Sequence, residues 1–102
     1  MAADDHGVYA ISVAASMVSM EIQNLRVYER RGLLSPDRTA GGTRLYSADD
    51  VARLERIRDL LADGLNLAGV ARVLDLEDEV DRLRARLDEP DDQLGNEEQE
   101  SA

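Results

Sequence analysis

The chain contains no cysteine, phenylalanine, tryptophan or lysine, and has only two prolines in 102 residues. The absence of cysteine excludes disulfides, thiolate metal sites, iron–sulfur clusters and thiol redox sensing together. Three tyrosines are the whole aromatic content, so the core is expected from Leu, Val, Ile and Ala and is expected to be thin. A domain this small often leans on a partner subunit. No apolar run approaches the roughly 20 residues that span a bilayer, and nothing at the start resembles a signal peptide. A soluble cytoplasmic protein without a membrane partner is therefore expected. No Ser/His/Asp or Cys/His set, phosphate loop or metal-ligand spacing occurs, and so short a chain offers little concave pocket. The expectation is a non-enzyme with no catalytic residue, cofactor or metal.

The net charge of −10 is unevenly placed. Residues 1–74 hold nine arginines against ten acidic residues, whereas residues 75–102 hold three arginines against twelve. Within 22–46 five arginines face only Glu29 and Asp37, a local net of +3. A cationic segment of that density suits a polyanion, and the acidic end does not oppose that reading because it lies elsewhere in the chain.

Local signals divide the chain. Residues 1–8 are polar and expected to fray. A short Ala-rich helix follows, with Ser12 as its N-cap candidate, and Ser19 is the candidate cap of a second helix over 20–31. Ile22, Leu25 and Tyr28 recur at a spacing of three along that second helix, and Gly32 closes it. Two short helices so close together suggest a helix-turn-helix. Helical periodicity then stops. Pro36 and Gly41-Gly42 predict a small β-hairpin, a wing. Ser47 and Asp50 form a capping-box-like start for a third helix with Val51, Leu54, Ile57, Leu60 and Leu61 on one face, ended by Gly64. Asn66 caps a fourth helix with Leu67, Val70, Val73 and Leu74 apolar. Val73, Leu76, Val80, Leu83 and Leu87 then follow the 3-4 spacing of a coiled-coil seam, read as a separate dimerisation helix over 75–89. Residues 90–102 are acidic and polar and expected to be disordered.

The order LRVYERRGLLSP, R, GG, RLYS, DDVARL closely resembles the MerR family of winged helix-turn-helix transcription regulators. Leu25-Arg26, Tyr28-Glu29, Gly32-Leu33, Pro36, Arg38, Arg44 and Tyr46 carry the resemblance, which covers Tyr9 to Leu87. ISVAA, SPDRTAGGTRLYS and GLNLAGVARVLDL look like the HspR branch of heat-shock repressors. The resemblance implies an all-α fold with a small β-hairpin wing, with the DNA-binding domain at 9–74 and an antiparallel dimer helix at 75–89. It implies a homodimer on an inverted repeat of double-stranded DNA that represses stress or chaperone genes at the nucleoid, with a chaperone co-repressor or RNA polymerase as further partners. Two alternatives stand beside it: a promoter-distorting activator of the same family, and a protein-interaction adaptor built on the coiled coil and acidic tail.

The candidate DNA-contacting residues are Gln23, Asn24, Arg26, Tyr28, Arg30, Arg31, Arg38, Arg44 and Tyr46. In the family pattern Arg26 meets DNA, and an arginine in mid-helix can reach a guanine edge or a flanking phosphate. Gln23 and Asn24 either read an adenine edge or are plain surface residues. Glu21 suits the helix dipole as a capping residue. Tyr28 either packs as an anchor or sends its hydroxyl to a phosphate. Arg30 and Arg31 contact DNA or only complement the helix dipole. Arg44 and Tyr46 match the family's backbone-contacting positions and, two apart on one strand, share a face. Arg38 lies on the facing strand.

Overall fold

The computed structural model describes residues 5–88; the expected acidic tail at 90–102 lies outside them. The chain divides into two compact units, residues 1–70 and 71–102. The first holds α1 (Ile11–Met17), α2 (Ile22–Arg30), β1 (Asp37–Arg38), β2 (Arg44–Leu45) and α3 (Ala48–Ala62). α4 (Leu67–Asp88) begins in the first unit and supplies the described part of the second. No helix among the described residues is long and apolar enough to cross a membrane.

All three short helices end the same way. After α1 the amides of Ser19 and Met20 bond the carbonyls of Ser16 and Ala15; after α2 those of Gly32 and Leu33 bond Glu29 and Tyr28; after α3 those of Gly64 and Leu65 bond Leu61 and Leu60. This paired pattern turns the chain out of the helix through one residue of positive φ. Gly32 and Gly64 fill that position as expected, at φ 77° and 101°. Ser19 fills it after α1, at φ 56°. It therefore closes the first helix and is not the cap of the second. Nor is Ser12 an N-cap: α1 starts one residue earlier, behind Ala10, without a side-chain cap. α2 starts behind Glu21, whose side chain caps nothing.

Two other caps follow the sequence reading. The Ser47 hydroxyl accepts from the Asp50 amide at 2.9 Å and the Asp50 carboxylate accepts from the Ser47 amide at 2.9 Å, a reciprocal box that starts α3. Asn66 Oδ1 accepts from the Gly69 amide at 2.8 Å at the start of α4. The separate fourth and fifth helices of the sequence reading are one helix. Nothing between Leu74 and Asp75 stops it, since neither glycine, proline nor a cap residue intervenes.

The hairpin pairs Asp37 with Leu45 and Arg38 with Arg44, antiparallel. Its loop is closed by the Thr39 amide on the Thr43 carbonyl, 2.8 Å, with Gly42 at φ 88°. The segment before α1 joins this edge. Tyr9 and Tyr46 exchange backbone bonds of 2.9 and 2.7 Å, and the Gly7 amide donates to Asp37 Oδ2 at 2.9 Å. Gly7 is buried. Residues 7 and 8, expected to fray, are thus part of the folded unit.

The core of the first unit uses Val18, Leu25, Leu33, Leu34, Leu54, Ile57 and Val70, as the aliphatic composition suggests, but Tyr46 is its largest fully buried side chain and Tyr28 is 6% exposed. Two of the three tyrosines therefore supply the bulk that Phe and Trp would otherwise give. Of the stripe read on α2, Leu25 and Tyr28 are buried and Ile22 is exposed.

Candidate nucleic-acid interface

α2 presents an outward face opposite Leu25 and Tyr28. Gln23, Arg26 and Arg30 are exposed and follow one another at spacings of three and four, so they share that face. Asn24 is also exposed, one residue further round the helix; Arg31, the C-cap residue, is exposed beyond its last turn. Among the described residues, Arg26, Arg30 and Arg31 form no ion pair.

The wing arginines are held. Arg38 and Arg44 sit directly opposite each other in the hairpin, where like charges oppose pairing. Glu29, on α2, relieves this. Its Oε2 accepts from Arg38 Nη2 at 2.7 Å, and its Oε1 accepts from Arg44 Nε. Arg38 Nη1 donates at the same time to the Gly42 carbonyl, 3.0 Å, across the wing loop. Desolvation pushes the Glu29 carboxyl up, but the hydrogen bonds and charges of Arg44 and Arg38 outweigh it and hold the group below its ordinary range. The same hydrogen bond raises Arg44. In the sequence Glu29 is a family landmark and one of two acids within a cationic segment; its role as a clamp depends on two residues nine and fifteen positions away, which no local pattern displays.

Tyr46 follows the half-buried Arg44 by two residues, but its own side chain faces inward. The ring is fully buried and its hydroxyl has no hydrogen-bond partner. Burial first, then the nearby Glu29 carboxylate, raises its pKa, with Arg44 and Arg26 opposing. A phosphate has no access to this side chain, so the expected surface role for Tyr46 is corrected to a core role. Tyr28 is likewise an anchor, buried and raised in pKa by desolvation. The cations therefore run from the exposed Arg30 and Arg26 on α2 to the half-buried Arg44 and the exposed Arg38 on the wing, and Glu29 binds the two wing arginines.

Two arginines of α3 fix this arrangement from behind. Arg53 Nε donates to the Leu33 carbonyl after α2, and Arg58 Nη1 donates to the Val18 carbonyl after α1 at 2.9 Å. Nothing in the local sequence marks them, because helix-end carbonyls find such donors only through tertiary packing.

The seam residues of α4 are exposed in the single chain: Leu76 at 65%, Val80 at 42%, Leu83 at 48% and Leu87 at 74%, with Val73 half-buried. An apolar stripe this open on a charged helix calls for a covering surface.

A helix-turn-helix followed by a two-stranded wing, with arginines on the second helix and on the wing, defines the winged helix-turn-helix class. Residues 9–77 match the MerR HTH family of regulatory proteins. The chain belongs to that family, one of transcription regulators and not of enzymes. It is 50% identical over 84 residues to a heat shock protein HspR of Streptomyces coelicolor, covering 81% of this chain and 56% of that protein. It is 40% identical over 67 residues to the HTH-type transcriptional regulator GlnR of Bacillus anthracis, covering 66% of this chain and 52% of GlnR. The chain thus spans about half the length of these curated relatives. Its fold matches the crystal structure of HiNmlR, a MerR family regulator lacking the sensor domain, bound to promoter DNA. The TM-score is 0.66 at 24% identity, over 90% of this chain and 71% of that one.

Proposed function

We propose that this chain is a sequence-specific DNA-binding transcription regulator that works as a homodimer, and that it represses stress or chaperone genes through an inverted repeat. The observation that carries the reading is the exposed face of Gln23, Arg26 and Arg30 lying beside Glu29, the residue that ties down the wing arginines. In this reading α2 enters the major groove, where Arg26 and Gln23 meet base edges, and the wing meets flanking phosphates through Arg44 and Arg38. Asn24, Arg30 and Arg31 extend the contact along the backbone. The apolar stripe Leu76, Val80, Leu83 and Leu87 is covered by the same stripe of a second copy, and the two-fold axis so created matches an inverted repeat. The assignment to stress genes rests on likeness to HspR.

Binding-site selection from a randomised duplex library at about 0.15 M salt, where non-specific phosphate binding is suppressed, tests the reading. An enriched inverted repeat is the expected result. Recovery of no preferred sequence by a dimeric protein would sink it, unless enrichment returns when a chaperone co-repressor is added. Placing the recovered repeat before a reporter promoter then separates repression from activation by the sign of the change in transcript.

A further inference from the structure

Glu29 is an unexpected group at a surface meant for phosphates. The carboxylate and the two guanidiniums around it sum to +1, so it removes a unit of attraction that the wing would otherwise have. A group that weakens the pull on DNA has a place there if it contributes position instead. Arg38 is bonded at both ends of its guanidinium, to Glu29 and to the Gly42 carbonyl. Arg44 is bonded through Nε only, so its terminal nitrogens make no hydrogen bond with a described residue while its stem is fixed. Glu29 lies three residues from Arg26, one helical turn along α2. One carboxylate thus sets where the wing cations stand relative to the helix face.

We propose that Glu29 is a positioning residue for recognition: it fixes the wing arginines to α2 so that the wing meets a phosphate only when α2 is seated in one register, converting general phosphate attraction into discrimination between duplexes. The inference rests on the DNA-binding reading above. Fixing donors before binding lowers the ordering cost of the correct complex, and the carboxylate penalises loose, unregistered encounters through its charge.

The test uses Glu29→Gln and Glu29→Asp in the full chain, below their melting temperatures. Two duplexes of equal length serve as probes: the repeat recovered by selection and an unrelated sequence. Each affinity is measured from about 0.05 to 0.2 M salt, the range in which phosphate contacts dominate the salt dependence. Glu29→Gln should bind the unrelated duplex several-fold more tightly, steepen its salt slope by up to about one, and reduce the preference for the selected repeat about tenfold. Glu29→Asp keeps the charge but shortens the reach, so it should keep the slope and lose part of the preference. A wing that merely comes loose would weaken both duplexes and flatten the slope, which would overturn the assignment. Unchanged preference in both variants would also overturn it. If Glu29→Gln does not fold, Glu29→Asp decides: reduced preference at constant slope supports the assignment, and wild-type behaviour removes it. A wild-type protein without preference between the duplexes would instead overturn the DNA-binding reading, and Glu29's role with it.

Discussion

Arg58 on α3 donates to the carbonyl of Val18, forty residues earlier, at 2.9 Å, and so pins the end of α1 at the turn of the helix-turn-helix. The bond is part-buried, and loss of such a bond typically costs about 1 kcal/mol. Arg58→Ala should therefore lower the melting temperature by about 5 °C in a domain of this size, with helix content kept. Melting followed by circular dichroism checks it. A melting curve indistinguishable from wild type would mean that the turn is held by packing alone.

Gly7 is a second structural test. A Cβ there would lie 2.5 Å from the Leu45 carbonyl oxygen and 2.9 Å from the Asp37 and Leu45 β-carbons. Gly7→Ala must displace the leading segment from the wing edge or push the wing aside, at a cost of about 1–3 kcal/mol. Were the segment frayed in solution, the substitution would leave stability untouched. Thermal melting and backbone amide exchange at Tyr9 distinguish the two.

The division of labour between helix and wing is checked by Arg26→Ala against Arg44→Ala. Loss of a base-reading arginine should reduce discrimination at one position of the repeat, worth about 1–3 kcal/mol. Loss of a phosphate-contacting arginine should weaken all duplexes alike and flatten the salt slope by about one. Exchange of these two phenotypes would show that readout and positioning belong to the opposite elements.

Leu83→Asp places a charge in the middle of the exposed stripe of α4, where Leu83 is 48% exposed in the single chain. An aspartate costs a single chain little at that exposure, but it costs a paired seam heavily because an unpaired charge would be buried. The variant should sediment as a monomer while its α1–α3 unit melts normally. A stable dimer would relocate the interface away from this stripe.

The Glu29 clamp should also shape acid stability. Its folded pKa is depressed, so its contribution is present above the unfolded carboxylate value of about 4.3 and is lost as pH falls through the folded value. Wild type should exceed Glu29→Gln in melting temperature near neutrality. The gap should close as pH falls below the unfolded carboxylate value, because Glu29 itself becomes protonated in the wild type, while the carboxylates common to both proteins cancel in the difference. A gap that stays constant with pH would show that the carboxylate does not titrate against the wing arginines.

Much of the fold is legible in local signals. Gly32 and Gly64 mark helix ends because few other residues accept positive φ cheaply; the Ser47–Asp50 box and Asn66 mark starts because they satisfy amides within a single turn. The face Val51, Leu54, Ile57, Leu60 is legible because helical spacing states it directly. The failures have equally specific causes. Ser19 reads as a cap by type, yet its position after α1 makes it a helix terminator. The seam of α4 suggested a separate helix because periodicity describes faces and is blind to continuity. Tyr46 reads as a surface residue because the family resemblance pairs it with Arg44 and alternation puts the two on one face, without saying which face of the hairpin meets the core.

The sequence by itself determined the helix boundaries set by glycine and capping chemistry, the hairpin, the cationic content of 22–46 and the apolar stripe of α4, since each is encoded within a few residues. Tertiary structure alone decided that Glu29 holds Arg38 and Arg44, that Arg53 and Arg58 close helix ends from α3, that residues 7–9 lie along the wing, and that Tyr46 belongs to the core. Each of these joins residues from separate elements, and a contact made only when the chain closes on itself leaves no periodicity for a local reading to find.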